Sequence, residues 1–320
     1  WKLWRSLIFG ALIIAAILFF NARNPSETRA VLASTLRYAV PLILGALCGI
    51  FCERAGIVNI GIEGQMLLSA FTSYMTNAWT GNLALSLFVG MVTGSIMGLF
   101  LAFLSIKLKL NQVIGGTVIN ILAAGITGYF YQVGTTTKGK FASIPLGPLA
   151  DIPIIGPLLF NNPPITYIAI VLVILFYVFT KYTKRGYEHR MMGLSYDFSV
   201  YGGVNTKDIQ FWALLISGGI AAIAGAAETM GVNGQYIHGF STSMGPNGIM
   251  VALMGRLNPV GIAAASLFMG AIQSGARAMV RATDVSVYTM NIMISIIVIC
   301  ITADGLYELL RIKKRQREGD

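Results

Sequence analysis

The sequence predicts an all-α, polytopic membrane protein with about ten transmembrane helices, some short or broken, in a single domain spanning residues 1–320. Three observations carry that reading. The chain is 55% hydrophobic and only 11% charged, with a mean hydropathy of +0.71, whereas soluble domains are about one quarter charged. Its apolar stretches are long and rich in Leu, Ile, Ala and Gly; barrel strands would instead alternate in polarity over ~10 residues, so helices are the structures that satisfy this backbone in lipid. Finally, with the N-terminus cytoplasmic, ten spans place 16 of the 23 Lys and Arg inside, the asymmetry that orients membrane proteins.

In chain order the apolar runs are 3–20, 31–51, 57–79, 83–106, 113–131, 165–180, 209–230, 240–255, 260–275 and 287–303. The first follows Lys2 and Arg5 like a signal peptide, but "FFNARNPS" offers no small-x-small cleavage site, so it reads as a retained helix. The sixth, eighth and ninth are short against the about 20 residues that a bilayer needs. They are expected to be tilted, broken or re-entrant, the eighth above all because it holds Ser241, Thr242, Ser243, Gly245, Pro246, Asn247 and Gly248. Gly45 and Gly49, Gly90, Gly94 and Gly98, and Ala221 with Gly225 have the spacing of close helix contacts. Cys48, Cys52 and Cys300 fall in apolar runs and read as small hydrophobes. "ALCGIFCERAGIVNIG" and "IMVALMGRLNPVGIAA" form a weak internal repeat of helix, Arg-containing turn and returning helix.

Two connections are long. Residues 132–164 form an outer loop rich in Gly, Pro, Thr and Asn, and residues 181–208 form an inner one mixing basic residues with Tyr, Met and Phe. The composition of the inner loop fits either interfacial helices on the headgroups or a docking surface for a cytoplasmic partner.

The basic charge does not mark a nucleic-acid binder, since no large soluble region exists to carry a patch. "GTTTKGKF" (134–141) has phosphate-loop spacing, but Phe141 stands where Ser or Thr should hold magnesium and no helix pattern follows. His189 and His238 are placed on opposite faces, no metal-ligand spacing occurs, and HExxH and GxSxG are absent. The chain therefore reads as a non-enzyme that binds no cofactor or metal of its own.

Polar residues within the spans are the remaining candidates. They are Asn59, Glu63 and Gln65 in the third run, Asn120 in the fifth, Glu228 in the seventh, Gln273 in the ninth and Asn291 in the tenth, with Asn111 and Gln112 at the mouth of the fifth. Polar groups at such depth face a bundle interior, where they pair with one another or line a route. Glu63 stands about 10 Å above its helix entry at ~1.5 Å per residue. It is placed as a structural or gating carboxylate, with substrate contact and proton coupling as the alternatives.

"ERAGIVNIGIEGQMLLSA", "NQVIGGTVINILAAGITGY", "RGYEHRMMGLSYDFSVYGGVNTK", "ISGGIAAIAGAAETMG" and "GPNGIMVALMGRLNPVGIAAASLFMGAIQSG" together resemble permease subunits of ATP-binding-cassette importers, over roughly residues 39–305. The branch transports branched-chain amino acids, ribose and nucleosides, and the chain looks most like nucleoside permeases served by basic-membrane-protein lipoproteins. The resemblance implies a multi-pass protein of the bacterial plasma membrane with both termini cytoplasmic. It also implies a cytoplasmic ATPase holding ATP and Mg, a second permease subunit, an extracellular or periplasmic substrate-binding lipoprotein, surrounding membrane lipids, and no nucleic acid. It makes 181–208 the loop of coupling helices, with Gly186, Tyr187, Glu188, Arg190, Gly193, Asp197, Tyr201 and Gly202 at the matching positions. Here "RMMG" replaces the usual "RAVG", and "LSYD" replaces the usual Asn-Pro. Sugar and branched-chain amino-acid permeases are the neighbouring readings. A stand-alone ion-coupled transporter, with Glu63 or Glu228 carrying a proton, is the reading from another class.

Overall fold

A computed structural model describes residues 25–131, 139, 141–145, 147, 160–236, 244–282 and 286–302. Helix α1 (Pro25–Glu53) turns through residues 54–61 into α2 (Ile62–Thr80), and α3 (Leu83–Ala102) runs on as a π-helical turn, Phe103–Lys107. After α4 (Gln112–Phe130) come a two-residue antiparallel ladder, β1 (Ile144–Pro145) with β2 (Asn161–Asn162), and α5 (Pro164–Tyr182). Two short helices, α6 (Lys184–Leu194) and α7 (Tyr196–Tyr201), lead to α8 (Thr206–Ala226), which continues as a second π-helical segment, Ala227–Asn233. Helices α9 (Met244–Met254), α10 (Pro259–Ala282) and α11 (Val287–Thr302) complete the described chain. The all-α reading holds.

Local chemistry fixes the helix starts. Asn82 accepts from the Ala84 and Leu85 N–H groups at 3.0 and 3.1 Å, and Asn111 accepts from Val113 N–H at 2.8 Å, occupying donors that have no partner within the helix. The turns likened as a repeat close in the same way. Gly56 N–H donates to Glu53 O and Ile57 N–H to Cys52 O; Arg256 N–H donates to Leu253 O and Leu257 N–H to Ala252 O. Gly56 has φ 65° and Arg256 φ 52°, the left-handed conformation that terminates helices. The two turns also touch, the Arg54 guanidinium donating to Leu257 O.

Helix α1 is the centre of the bundle, packed by α8, α9 and α10, while α2 is enclosed by α3, α4 and α8. Of the apolar window in α1, 89% is buried, against 28% in α4 and in α5. The peripheral helices present Phe88, Ile96, Ile121 and Ile174 outward, the surface that a lipid-facing helix needs. Helix α3 crosses α8 where Gly94 meets Gly218 backbone to backbone, and Gly225 lies against Met66 O, as the small-residue spacing predicts. Gly45 likewise meets Gly248, but a Cβ on Gly49 would meet nothing within 4 Å. Cys48 and Cys52 are buried free thiols; the Cys300 side chain lies outside the described residues.

The expected count of ten spans is not confirmed among the described residues. Among the described residues six helices are long and apolar enough to cross a membrane: Ala30–Glu53, Leu83–Lys107, Gln112–Phe130, Pro164–Tyr182, Thr206–Asn233 and Pro259–Arg281. The first expected run, 3–20, lies outside the described residues, as does most of the outer loop 132–164. Helix α2 has 19 residues but is not among the six, and its enclosure explains its polarity: a helix walled by other helices needs no lipid-compatible surface. The sixth and ninth runs are longer than expected, 19 and 24 residues, because α10 continues through Arg277 and Arg281 where apolarity stops. Within the eighth, the described residues form an 11-residue helix from Met244, about half of a ~30 Å hydrocarbon core, and 240–243 lie outside the described residues.

Candidate transport route and coupling face

Most of the predicted intramembrane polar residues gather around the non-helical segment 57–61. The Asn120 side chain on α4 accepts from Gly64 N–H at 2.8 Å and donates to Ile60 O at 3.1 Å. Gln112 accepts from Val58 N–H at 2.7 Å. Asn59, fully enclosed, donates to Gln65 Oε1 and Ser217 Oγ at 2.9 Å each, and Ser217 donates to Cys48 O at 3.3 Å. These bonds supply partners to a broken backbone that lipid cannot supply, and they tie α1, α2, α4 and α8 at one level. Glu63 lies half-buried in the first turn of α2, where the helix dipole favours a negative charge, with its backbone and Cβ against Gly245 at the start of α9.

Glu228 is not part of this group. It sits buried on the π-helical continuation of α8, at the opposite end of the bundle, accepting from Asn233 Nδ2 at 3.1 Å and within electrostatic reach of Arg277. The Arg277 guanidinium rests 4.5 Å from the Tyr38 ring centre. Near the same end Tyr236 meets Phe71, Tyr74 and Tyr131 with ring centres 5.4 to 5.6 Å apart, a small aromatic cluster separate from the main core. Gln273 is buried on α10, and the Asn291 side chain lies outside the described residues, as do His238 and Phe240.

The 181–208 loop folds as a ledge across the end of the bundle that also carries the 54–61 and 255–258 turns. Thr183 caps α6 by accepting from Gly186 N–H at 3.0 Å, Ser195 caps α7, and Asn205 caps α8. Two glycines seat the ledge. A Cβ on Gly186 would strike the Phe179 carbonyl, and one on Gly193 would lie 2.7 Å from Arg54 O and 2.9 Å from Arg54 Cα. His189 is buried between them, its ring 4.5 Å from that of Phe51. Facing away from the bundle, Tyr187, Leu194, Phe198 and Tyr201 are exposed, Tyr201 by 90%. Tyr187, Arg190, Met191, Leu194, Ser195 and Phe198 line an open groove of about 380 Å³. Glu188 pairs with Lys184 at 3.9 Å, Asp197 lies exposed in the first turn of α7, and Gly202 N–H closes that helix on Phe198 O.

The sequence profile of the family described as "Branched-chain amino acid transport system / permease component" matches residues 31–302. The chain belongs to that family. Among the relatives of this permease is the guanosine ABC transporter permease protein NupQ of Bacillus subtilis, 31% identical over 76% of this chain and 81% of its own length. The nucleoside ABC transporter permease protein NupC of Lactococcus lactis is also 31% identical, with the same two coverages. The glucose ABC transporter permease protein TsgB13 of Haloferax volcanii is 26% identical over 88% of this chain and 78% of its own length.

Several residues of the permease's candidate sites escape sequence inspection. Arg277 and Tyr236 carry no motif, and Ser217, though inside the quoted stretch "ISGGIAAIAGAAETMG", is not singled out there; their roles arise from which helices cross. Phe71 and Tyr74 belong to the aromatic cluster, whereas Tyr129 lies 83% exposed on α4. His189 gains a measurable property from its position: burial, reinforced by the Arg54 charge, pulls its imidazole down to about 4 from an ordinary 6.5. The unfolded ring therefore takes up a proton first, so the seating of α6 is fully stable above 6.5 and weakens as pH falls toward 4. At pH 5 the loss is on the order of 2 kcal/mol. Amide exchange in α6 should accelerate between pH 7 and pH 5, after correction for intrinsic rates, and His189→Phe should remove that dependence.

Proposed function

We propose that this permease forms the membrane route of an ATP-driven importer for nucleosides, with α6 and α7 as the helices that receive the stroke of a cytoplasmic ATPase. The observation that carries the coupling role is the ledge itself: seated on the bundle through Gly186 and Gly193, it turns an apolar, aromatic groove outward. A surface of that composition at the end of a membrane bundle fits a protein partner. ATP and Mg²⁺ belong to the ATPase, and the permease supplies movement. The ledge end is then cytoplasmic, as the Lys and Arg distribution predicts. A second permease subunit and an extracellular substrate-binding lipoprotein complete the assembly in a bacterial plasma membrane.

Nucleosides are the favoured cargo because relatives over most of the chain carry guanosine and nucleoside names. The Phe71, Tyr74, Tyr131 and Tyr236 cluster is suited to a stackable base. Polar side chains of Asn59, Gln65, Asn111, Gln112, Asn120, Gln273 and Asn291, with Glu63 and Glu228 as gating carboxylates, would serve ribose hydroxyls or the gates. The test is uptake of labelled guanosine, glucose and leucine by vesicles carrying the permease with its ATPase and binding protein. ATP-dependent guanosine uptake is expected. Selective glucose uptake would move the permease to the sugar branch, and uptake by the permease alone under a proton gradient would overturn the ATP-coupled reading. Arg190→Ala combined with Tyr201→Ala should reduce uptake at least tenfold while leaving membrane insertion and ATP binding intact; unchanged uptake would remove the ledge from coupling.

A further inference from the structure

Beside the ledge lies a cavity of about 230 Å³ walled by Phe51, Phe179, Ile209, Trp212, Ala213 and Ile216, with Arg185 and His189 from α6 at its polar end. Two features set it apart from a packing defect. Arg185 and His189 stand four residues apart on one helix face and both line the space. His189 is only 4% exposed, and neither ring nitrogen has a partner among the described residues. A buried imidazole with no acceptor for its N–H costs about 1–3 kcal/mol, a cost that a ligand oxygen at the site would remove.

The shape identifies the ligand class. From α8 the wall is made by Ile209, Trp212, Ala213 and Ile216, with Asp208 paired to Arg185 at 3.1 Å across the entrance. That stripe runs about 12 Å along the helix, polar where α8 leaves the ledge and wholly apolar toward the membrane interior. Trp212 is half exposed at the mouth, the position favoured by tryptophan at headgroup depth. Of the cations that flank Arg185 in sequence, Lys184 pairs with Glu188 at 3.9 Å and Lys181 donates to Tyr177 Oη at 2.9 Å, which leaves Arg185 as the cation that lines the cavity. A volume below the usual ~300–1,000 Å³ of small-molecule sites suits part of one hydrocarbon chain better than a whole soluble metabolite.

We infer that this cavity is a binding site for an anionic phospholipid, one acyl chain lying along α8, the phosphate at Arg185 and an ester oxygen accepting from His189. Because the walls come from α1, α5, α6 and α8, a lipid there would wedge the joint between the ledge and the bundle. Its occupancy would bias how the coupling helices sit, so the membrane's anionic lipid content would tune the importer.

The test uses the full permease, purified in mild detergent with the subunits that accompany it, and native mass spectrometry with added phosphatidylglycerol or phosphatidylcholine. One phosphatidylglycerol per permease chain is expected to survive activation that strips phosphatidylcholine. Arg185→Gln should lower its retention about fivefold, the effect of one interfacial cation, and Ile216→Trp, which fills the apolar end, should abolish it. Equal retention of the two lipids, or unchanged retention in both variants, would overturn the assignment. Phosphatidylglycerol with a photoreactive acyl chain provides a readout on the unmodified protein: labelling should concentrate on the α8 stripe, and labelling spread evenly over the lipid-facing sides of α4 and α5 would refute the site even if a variant fails to fold.

Discussion

Gly193→Val is expected to abolish coupled transport while leaving the bundle folded. The atoms in the way are backbone atoms: the new Cβ would lie 2.7, 2.9 and 3.0 Å from the carbonyl oxygen, Cα and carbonyl carbon of Arg54. No rotamer change can clear them, so α6 must lift from the turn. Overpacking of this kind costs about 1–3 kcal/mol, which lowers the equilibrium constant for the seated ledge by about fivefold to 150-fold. The strain falls on a contact between the last turn of α6 and the turn that follows α1, outside the bundle's core, so thermal unfolding of the bundle should move little. Uptake in vesicles, with melting recorded in parallel, separates the two effects. Gly49→Ala is the matched control. A Cβ there meets nothing within 4 Å, so helix propensity should make the change neutral or stabilising by up to about 1 kcal/mol. Wild-type uptake by Gly193→Val would mean that α6 does not need its seat on Arg54.

The second large effect is structural and lies where α4 crosses the broken start of α2. Gly64→Val is expected to destabilise the permease by about 3 kcal/mol or more. Its Cβ would fall 2.8 Å from both Asn120 Cα and Ile119 O, and the same crossing brings the Cβ position of Gly116 within 2.7 Å of Gly61 N. Forcing α4 outward also breaks the two bonds that Asn120 makes, to Gly64 N–H and Ile60 O. Backbone groups stranded in a water-poor bundle cost about 1–3 kcal/mol each. Asn120→Leu isolates that part, since it removes the bonds and leaves the crossing, and should cost about 2 kcal/mol. The melting temperature in detergent and the yield of monodisperse protein report both variants. Equal stability of Gly64→Val and the parent would show that α2 and α4 do not meet through these glycines.

The helix plan was legible because its signals are contiguous. Hydropathy marked the runs that became α1, α3, α4, α5 and α8, whereas the third run reads as continuous from residue 57 and the structure begins its helix only at Ile62. The ledge was legible from its mixture of basic and aromatic residues, and through the family resemblance. Less legible were the ends of α10, since the helix keeps its geometry past the point where its side chains turn polar, and the crossing status of α2, whose polarity makes sense only once its enclosing neighbours are known.

The sequence by itself determined that this protein is an all-helical membrane protein and the order of its apolar runs, both of which follow from the free energy of placing neighbouring residues in lipid or water, a quantity set by composition over a few turns. Its motifs, through their resemblance to a known family, marked it as a permease and 181–208 as the loop of its coupling helices. Only the tertiary structure decided that Asn120 serves the backbone of Ile60 and Gly64, that Gly193 fits against Arg54, and that Arg185 and His189 open onto an apolar cavity. These contacts join residues far apart in the chain. Asn59 and Ser217 are 158 positions apart, and the bond from Ser274 to Val31 spans 243. Which residues meet across such distances is set by the register in which helices pack. That register is the outcome of every close contact in the bundle together, so no short stretch of sequence carries it.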